Sequence, residues 1–327
     1  MSAIPDKHIV HALLLDGAGG GREMDVDEIP ARIAAGEPVW VHLEAVHPDT
    51  PEWLGQHLPI LDALMIDALV AEETRPRAIE HDNTILLFLR GVNLNENAEP
   101  EDMVSIRMCI GEKFCVSLRR RPLKAVSDIV QRLQRGNGPG AIPDLVNDLA
   151  GTLFDRMEPV LSELDERTDN LEELVADKPD AAIRHEIVSL RKRAIVLRRY
   201  LAPQRDAIGR LRTMPHTWLD ERHRRHLYEH YDQLTRFVED LDAVRERSQI
   251  IQDELTTALS DKLNRNLYLL SIVAAIFLPL GFLTGLLGIN VAGIPGSDSP
   301  YAFGIFSAIL VLIVGLQLVI FRKLHWI

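Results

Sequence analysis

Charge is missing from the end of this chain. Between residues 266 and 321, Asp298 is the only Asp, Glu, Lys, Arg or His. That gap excludes a purely soluble globular protein, and its length leaves room for two membrane spans, which excludes a polytopic carrier. Cysteine is scarce as well: Cys109 and Cys115 are the only two, too few for a disulfide framework. The first residues lack an apolar core of signal-peptide length, so the amino-terminal part is expected to stay in a reducing cytoplasm. A basic excess is also absent. Lys and Arg number 36 against 48 Asp and Glu, net −12. Residues 1–265 alone carry −13. Phosphate backbones call for the opposite sign, so no nucleic-acid partner is expected.

The uncharged stretch holds two apolar runs, residues 267–288 and 301–321. As a helix the first spans roughly 33 Å, enough for a hydrocarbon core of about 30 Å. Residues 289–300 are rich in Gly, Pro and Ser and read as a periplasmic loop. Lys262 and Arg265 precede the first run; Arg322 and Lys323 follow the second. The positive-inside rule then puts both termini, including the tail 322–327, in the cytoplasm. Two buried core helices are the competing reading, but neither run carries charge on any face.

Residues 1–120 mix strand and helix signals and predict a cytoplasmic α/β domain. Strand-like runs cover 10–15, 39–43 and 84–92, with a hairpin of 103–110 and 113–118 around Gly111-Glu112. Helices are expected over 26–35 and 63–72. Alternation of this kind predicts a mixed sheet with helices packed on it. Residues 121–215 read as helix throughout: 125–135, one long helix 144–177, and 180–212. Residues 155–180 hold ten acids and three bases, and 184–212 hold nine bases and two acids. The opposed charges suggest an antiparallel hairpin with cross-pairing, against two separately solvated faces.

No Gly or Pro occurs from residue 216 to residue 278. One helix is therefore expected to form a stalk, 216–266, and to run straight into the first span. Leu234, Leu241, Ser248 and Leu255 recur every seven residues, as do Phe237, Val244, Ile251 and Ala258. This a/d seam needs partner helices, from the same chain or from other subunits. Two spans enclose no lumen, so transport would require an oligomer, and the seam supplies a reason to assemble. In a symmetric ring the first span would face the axis. One of its faces, at steps of three and four, presents Asn264, Leu267, Ser271, Ala274, Leu278, Gly281 and Gly285, with Leu270 at the edge. Without acid, His or Cys, such a wall offers no inner-sphere ligands to a soft or borderline metal. It suits a hydrated ion or a dry aliphatic gate; the same small residues also permit close helix packing.

The first span ends Phe277-Leu-Pro-Leu-Gly-Phe-Leu-Thr-Gly-Leu-Leu-Gly-Ile-Asn290. A Gly-x-Asn tripeptide after a Pro-containing apolar helix resembles the signature of the CorA superfamily of metal-ion transporters. Ile289 stands where that family usually has Met. With Val-Ala-Gly-Ile-Pro-Gly296 following, the segment is similar to the zinc-transporting ZntB branch. Trp40-Val-His-Leu43 with Val46-His47, Thr74-Arg-Pro-Arg77 and Arg199-Tyr-Leu-Ala-Pro-Gln-Arg-Asp206 point the same way. The resemblance implies an α+β membrane protein assembled as a pentameric funnel, a homopentamer in the bacterial inner membrane. It implies a pore mouth shaped by Gly288, Ile289 and Asn290. Asn264, Leu267, Leu270, Leu278 and Gly281 match the family's pore-facing positions. Asn290 would offer an amide oxygen to a hydrated cation. The metal-sensing acid pair of the magnesium branch has no matching position.

Weaker constellations have bland alternatives. His223, His226 and His230 share one helical face and offer Zn²⁺ ligands; a solvated stripe beside Arg222, Arg224 and Arg225 fits better, since positive charge opposes a cation. Cys109 and Cys115 read as buried, inert thiols. Gly17-Ala-Gly-Gly-Gly21 lacks the Lys-Ser/Thr ending of a phosphate loop and reads as a turn. Asp298 would attract cations outside, or merely solubilise its loop. The resulting expectation is a divalent-cation transporter, not an enzyme, without a tightly bound cofactor and with Zn²⁺ as cargo. Uptake is favoured, and proton coupling is possible although no span carries a carboxylate or histidine for it. A Mg²⁺/Co²⁺/Ni²⁺ channel of the same architecture is the alternative. A membrane-anchored enzyme or signalling scaffold is the alternative of another class.

Overall fold

The computed structural model describes residues 7–289 and 299–324. The chain divides into two compact units, Met1–Lys178 with Ala182–Gln252, and Pro179–Ala181 with Asp253–Ile327.

The first unit is built on a seven-stranded sheet. Its strands are β1 (Ile9–Leu15), β2 (Gly21–Glu23), β3 (Val39–Glu44), β4 (Arg77–His81), β5 (Thr84–Gly91), β6 (Val104–Ile110) and β7 (Phe114–Arg119). The order across the sheet is β2-β1-β3-β7-β6-β5-β4. Among the described residues β3 and β7 alone pair in parallel; the other pairs are antiparallel. The sheet is therefore mixed, as the sequence predicts. All of β3 is buried, which explains its continuous apolar reading: strands covered on both faces lose the alternation of half-buried ones.

Three short helices, α1 (Ile29–Ala34), α2 (Thr50–His57) and α3 (Ala63–Val70), supply Ile29, Trp53, Leu54, Met65 and Leu69 to a core with Val39, Val41, Leu43, Val116 and Leu118. The segment 26–35 is a 3-10 turn followed by α1 rather than one helix. Pro30 stands at its second position, where a missing N–H costs nothing.

The long helices are α4 (Lys124–Gln134), α5 (Ile142–Asp155), α6 (Glu158–Asp177), α7 (Ile183–Thr213), α8 (Glu221–Gly288) and α9 (Ala302–Lys323). The expected single helix 144–177 is two, α5 and α6. Pro159 causes the break: it has no N–H to donate to the carbonyl four residues back, so it opens α6 instead of continuing α5. Helix α7 lies against β4 and β5. There Gln204, fully buried, reads the backbone of β5: Arg90 N–H donates to its Oε1 at 2.6 Å, and its Nε2 donates to Arg90 O at 3.1 Å. Arg90 in turn stacks on Tyr200 and donates to Thr74 O and Met103 O. Two of the segments that carried the family resemblance, around Thr74 and around Gln204, thus meet at one joint between helix and sheet.

Within the first unit the heptad seam is buried from Leu234 to Ile251. Helices α6 and α7 flank it. Arg247 of α8 pairs with Asp165, Asp169 and Glu172 of α6, and Arg198 of α7 pairs with Asp242 of α8 at 2.7 Å. Two corrections follow. The seam is satisfied inside the subunit and gives no reason of its own to assemble. The acids of α6 meet Arg247 of α8 more than the bases of α7, whose cross-pair to α6 is Arg193–Glu163 at 3.6 Å.

The second unit holds α8 from residue 253 onward and α9. Both helices are long and apolar enough to cross a membrane, and the apolar windows of both lie unburied.

Candidate ion pathway and neighbouring sites

On α8, Ile272, Ile276, Leu280 and Leu283 are half-buried and recur at steps of four, four and three. This is the side turned to α9. Leu280 lines an apolar groove with Leu310, Val311 and Val314. At 100° per residue, the expected pore face lies nearly opposite. Asn264, Leu267, Leu270, Ser271, Leu278 and Gly281 are exposed there, and Ala274 is half-buried. Leu270 and Leu278 are 65% and 70% exposed, so these aliphatic side chains find no cover within the subunit. Ser271 donates back to Leu267 O at 2.8 Å, which leaves its oxygen lone pairs on the surface. Gly281 also reaches the groove shared with α9. Gly288 and Ile289 are exposed at the helix end. Asn290 and Asp298 lie outside the described residues.

One residue of this unit escapes a reading by charge. Pro279 sits inside α8 and has no N–H, so the carbonyl four residues back, on Ala275, loses its helical donor. Gln317 of α9 donates its Nε2 to that carbonyl at 3.1 Å. An orphan carbonyl is costly in hydrocarbon, and Gln317 is the one amide side chain of α9. The available signal was the pairing of a proline in one span with a lone amide in the other.

The histidine face is not the solvated stripe the sequence suggests. His223 is buried; its Nδ1 lies 2.7 Å from Asp220 and its Nε2 3.3 Å from Asp144. His230 packs edge-on against Phe154 and its Nε2–H donates to Asn147 O at 3.2 Å. Burial holds its imidazole below the ordinary range. His226 is exposed beside a polar cleft of about 600 Å³. Helix α5 recruits two of the three as packing and pairing groups, and among the described residues they do not converge with other ligands on one point.

The remaining sequence candidates are quiet. The Gly17–Gly21 turn wraps its own Asp16, whose carboxylate accepts from Ala18 N–H at 2.8 Å and Gly20 N–H at 2.9 Å. Those amides are already taken by an anion, which opposes a phosphate. Cys109 and Cys115 are buried free thiols, and burial pushes the Cys109 thiol up to about 12. Neither is a nucleophile at neutral pH. His42 is fully buried with its Nδ1 2.8 Å from Ser117 Oγ, which also accepts from Trp40 Nε1–H at 2.8 Å. The third family-like segment therefore stitches β3 to β7.

An α/β body, a helix that continues into a charge-free segment, and a second apolar helix define a class of membrane proteins with two carboxy-terminal spans. The CorA-like Mg²⁺ transporter family matches residues 35–323, and the chain belongs to that family. It is 38% identical over 325 residues to the divalent cation transporter CmaX of Pseudomonas aeruginosa, covering 98% of each chain. It is 37% identical over 306 residues to the zinc transport protein ZntB of Pectobacterium atrosepticum, covering 94% of this chain and 92% of that one. The structure of full-length CmaX matches the whole of both chains with a TM-score of 0.84 and 38% identity.

Proposed function

We propose that the protein is a divalent-cation transporter of the inner membrane whose cargo is Zn²⁺, and that it works as a homopentamer with both termini in the cytoplasm. The observation that carries this reading is the uncharged, largely exposed face of α8 from Asn264 to Leu278. It lies opposite the side turned to α9, it exposes aliphatic side chains that a single subunit leaves bare, and two helices enclose no channel. Rings of Leu267, Leu270 and Leu278 around an axis would make dry constrictions, with Asn264 and Ser271 as neutral polar steps. Gly288, Ile289 and Asn290 would form the mouth. An amide oxygen at Asn290 exchanges with outer-shell water without a trapping charge, and Asp298 would concentrate cations outside.

The names borne by its relatives favour Zn²⁺ over Mg²⁺, and Ile289 in the place of Met goes with the zinc-type branch. Uptake is the favoured direction, because a negative-inside potential contributes about 2.3 kcal/mol per charge per 100 mV, hence about 4.6 kcal/mol for a divalent ion. Asn290→Ala should abolish ⁶⁵Zn²⁺ uptake into proteoliposomes while the oligomer stays intact; undiminished uptake would overturn the assignment of the mouth. The second reading, a Mg²⁺/Co²⁺/Ni²⁺ channel, draws on the Mg²⁺ in the family's description and separates in a cation-competition flux assay with and without a pH gradient. Flux by the purified protein in empty liposomes eliminates a mere membrane anchor.

A further inference from the structure

We propose that His8, His47 and Asp49 form a binding site for a borderline divalent cation of the Zn²⁺ class, on the soluble unit and separate from the permeation path. It does not depend on the transport reading above.

Residue 8 is far from residues 47 and 49 in the chain, and the sheet brings them together. β1 and β3 run antiparallel with Ile9 opposite Leu43, and Glu44 N–H donates to His8 O at 2.8 Å. The start of β1 therefore sits beside the turn that leaves β3. One ligand atom from each of the three side chains lies within 4.8 Å of the others, the one such group among the described residues. The His8 and His47 rings are 5.5 Å apart between centroids. Bonds of about 2.0–2.1 Å in a tetrahedral Zn²⁺ site put ligand atoms roughly 3.3 Å apart, so modest side-chain rotations close the set.

Each donor has spare capacity. His8 Nε2 is buried without a hydrogen-bond partner, which is costly unless something else takes its lone pair. Asp49 occupies the N-cap position of α2, where an Asp side chain normally accepts from the helix, yet makes no capping bond. Its carboxylate stays 3.7 Å from His47 Nδ1. That nitrogen accepts a bond from Asp49 N–H at 3.2 Å, which a metal there would displace. Trp53 backs the cluster, with its ring 5.9 Å from that of His8.

The donor set decides the ion. Two imidazoles and one carboxylate suit Zn²⁺, Co²⁺ or Ni²⁺ and not Mg²⁺, which demands oxygen ligands. Three protein ligands leave a position for water and give an exchangeable site rather than a closed structural one. The cavity beside it, about 440 Å³, is open to ions and is also lined by Lys7 and Glu23, whose charges oppose one another.

Full-length protein, stripped of metal in detergent, is titrated with Co²⁺ and read by the visible absorption of a histidine-ligated ion, then back-titrated with Zn²⁺. The expected result is a band that saturates at one equivalent per subunit, is displaced by Zn²⁺ and is untouched by excess Mg²⁺. His47 and Asp49 lie on a turn, so H47Q and D49N test the site without disturbing a strand. Each should weaken Co²⁺ binding at least tenfold with an unchanged unfolding temperature, while E52Q, one helical turn away and outside the set, keeps wild-type binding. A wild-type protein without the band, or H47Q and D49N with wild-type affinity, overturns the proposal. Neither result depends on whether ions cross the membrane.

Discussion

The bond between the two apolar helices can be tested by a double-mutant cycle. Gln317→Leu removes the amide that donates to Ala275 O at 3.1 Å. Two opposing effects decide the size of the loss. Interhelical hydrogen bonds in membranes contribute about 0.6 kcal/mol on average and about 1.7 kcal/mol at most. The orphaned carbonyl adds to that, because Pro279 offers it no helical donor. Against this, the variant also removes Gln317 Oε1, which is buried without a partner, and a leucine there is welcome in hydrocarbon. The net expectation is a destabilisation of about 1–2 kcal/mol, a factor of about 5–30 in the unfolding equilibrium. Pro279→Ala supplies the missing N–H and lets α8 close its own bond to Ala275 O. In that background Gln317→Leu should cost nothing or stabilise, so the coupling is at least as large as the loss in the wild-type background. Equilibrium unfolding of the full-length protein in mixed micelles measures all four corners. Equal effects of Gln317→Leu with and without Pro279 would refute the reasoning, because they would mean that the amide acts on something other than the carbonyl the proline frees.

The joint between α7 and the sheet gives a larger number. Gln204→Leu leaves both Arg90 N–H and Arg90 O without their partner, and at about 1–3 kcal/mol for each buried orphan the loss should reach about 2–6 kcal/mol in denaturant unfolding of the full chain. His42 makes stability depend on acid. Burial first, then Arg119 and His11, holds its imidazole well below the ordinary range, so the unfolded chain binds a proton that the folded chain refuses. The contribution is full above about pH 6.5 and is lost progressively as pH falls from there to the depressed native value, at up to about 1.4 kcal/mol per pH unit. His11, His8 and His230 are shifted the same way, so the readout is the difference between wild type and His42→Asn, whose pH slope should be shallower by up to one proton. An identical slope would remove His42 from the account.

How far the sequence carries depends on whether a signal is local. Strand β3 and the β6–β7 hairpin announce themselves by apolar runs bounded by turn residues. Strand β4 does not: Arg77-Ala-Ile-Glu-His81 is an edge strand with mostly exposed side chains, and an edge has only one neighbour to satisfy. Helix α2 is masked by its composition, Thr-Pro-Glu-Trp-Leu-Gly-Gln-His, where Pro is harmless at the start and Gly lowers the helical signal. The α5–α6 break was legible in Pro159 but outweighed by the long run of helix formers around it. The seam shows the limit from the other side. Its positions were readable to the residue, because a period of seven is a property of one strand of sequence. Its partner was not, because α6 and α7 are amphipathic enough to cover it and no periodicity names the helix that does.

The same distinction orders the functional residues. The face from Asn264 to Gly281 is a helical repeat, so it could be drawn from sequence, and the family resemblance then gave it a meaning. His8, His47 and Asp49 share no repeat: their proximity is created by β1 turning back against β3, and only the pairing register reveals it. The three histidines of α8 make the converse case. Their spacing is the kind that places ligands on one face, yet α5 approaches that face and uses His223 and His230 for pairing with Asp144 and packing on Phe154. A shared helical face brings side chains to one side, whereas a metal site requires that nothing else on that side has already taken their lone pairs and protons. By that criterion the unpartnered Nε2 of His8 and the idle N-cap carboxylate of Asp49 outrank a triad with better spacing.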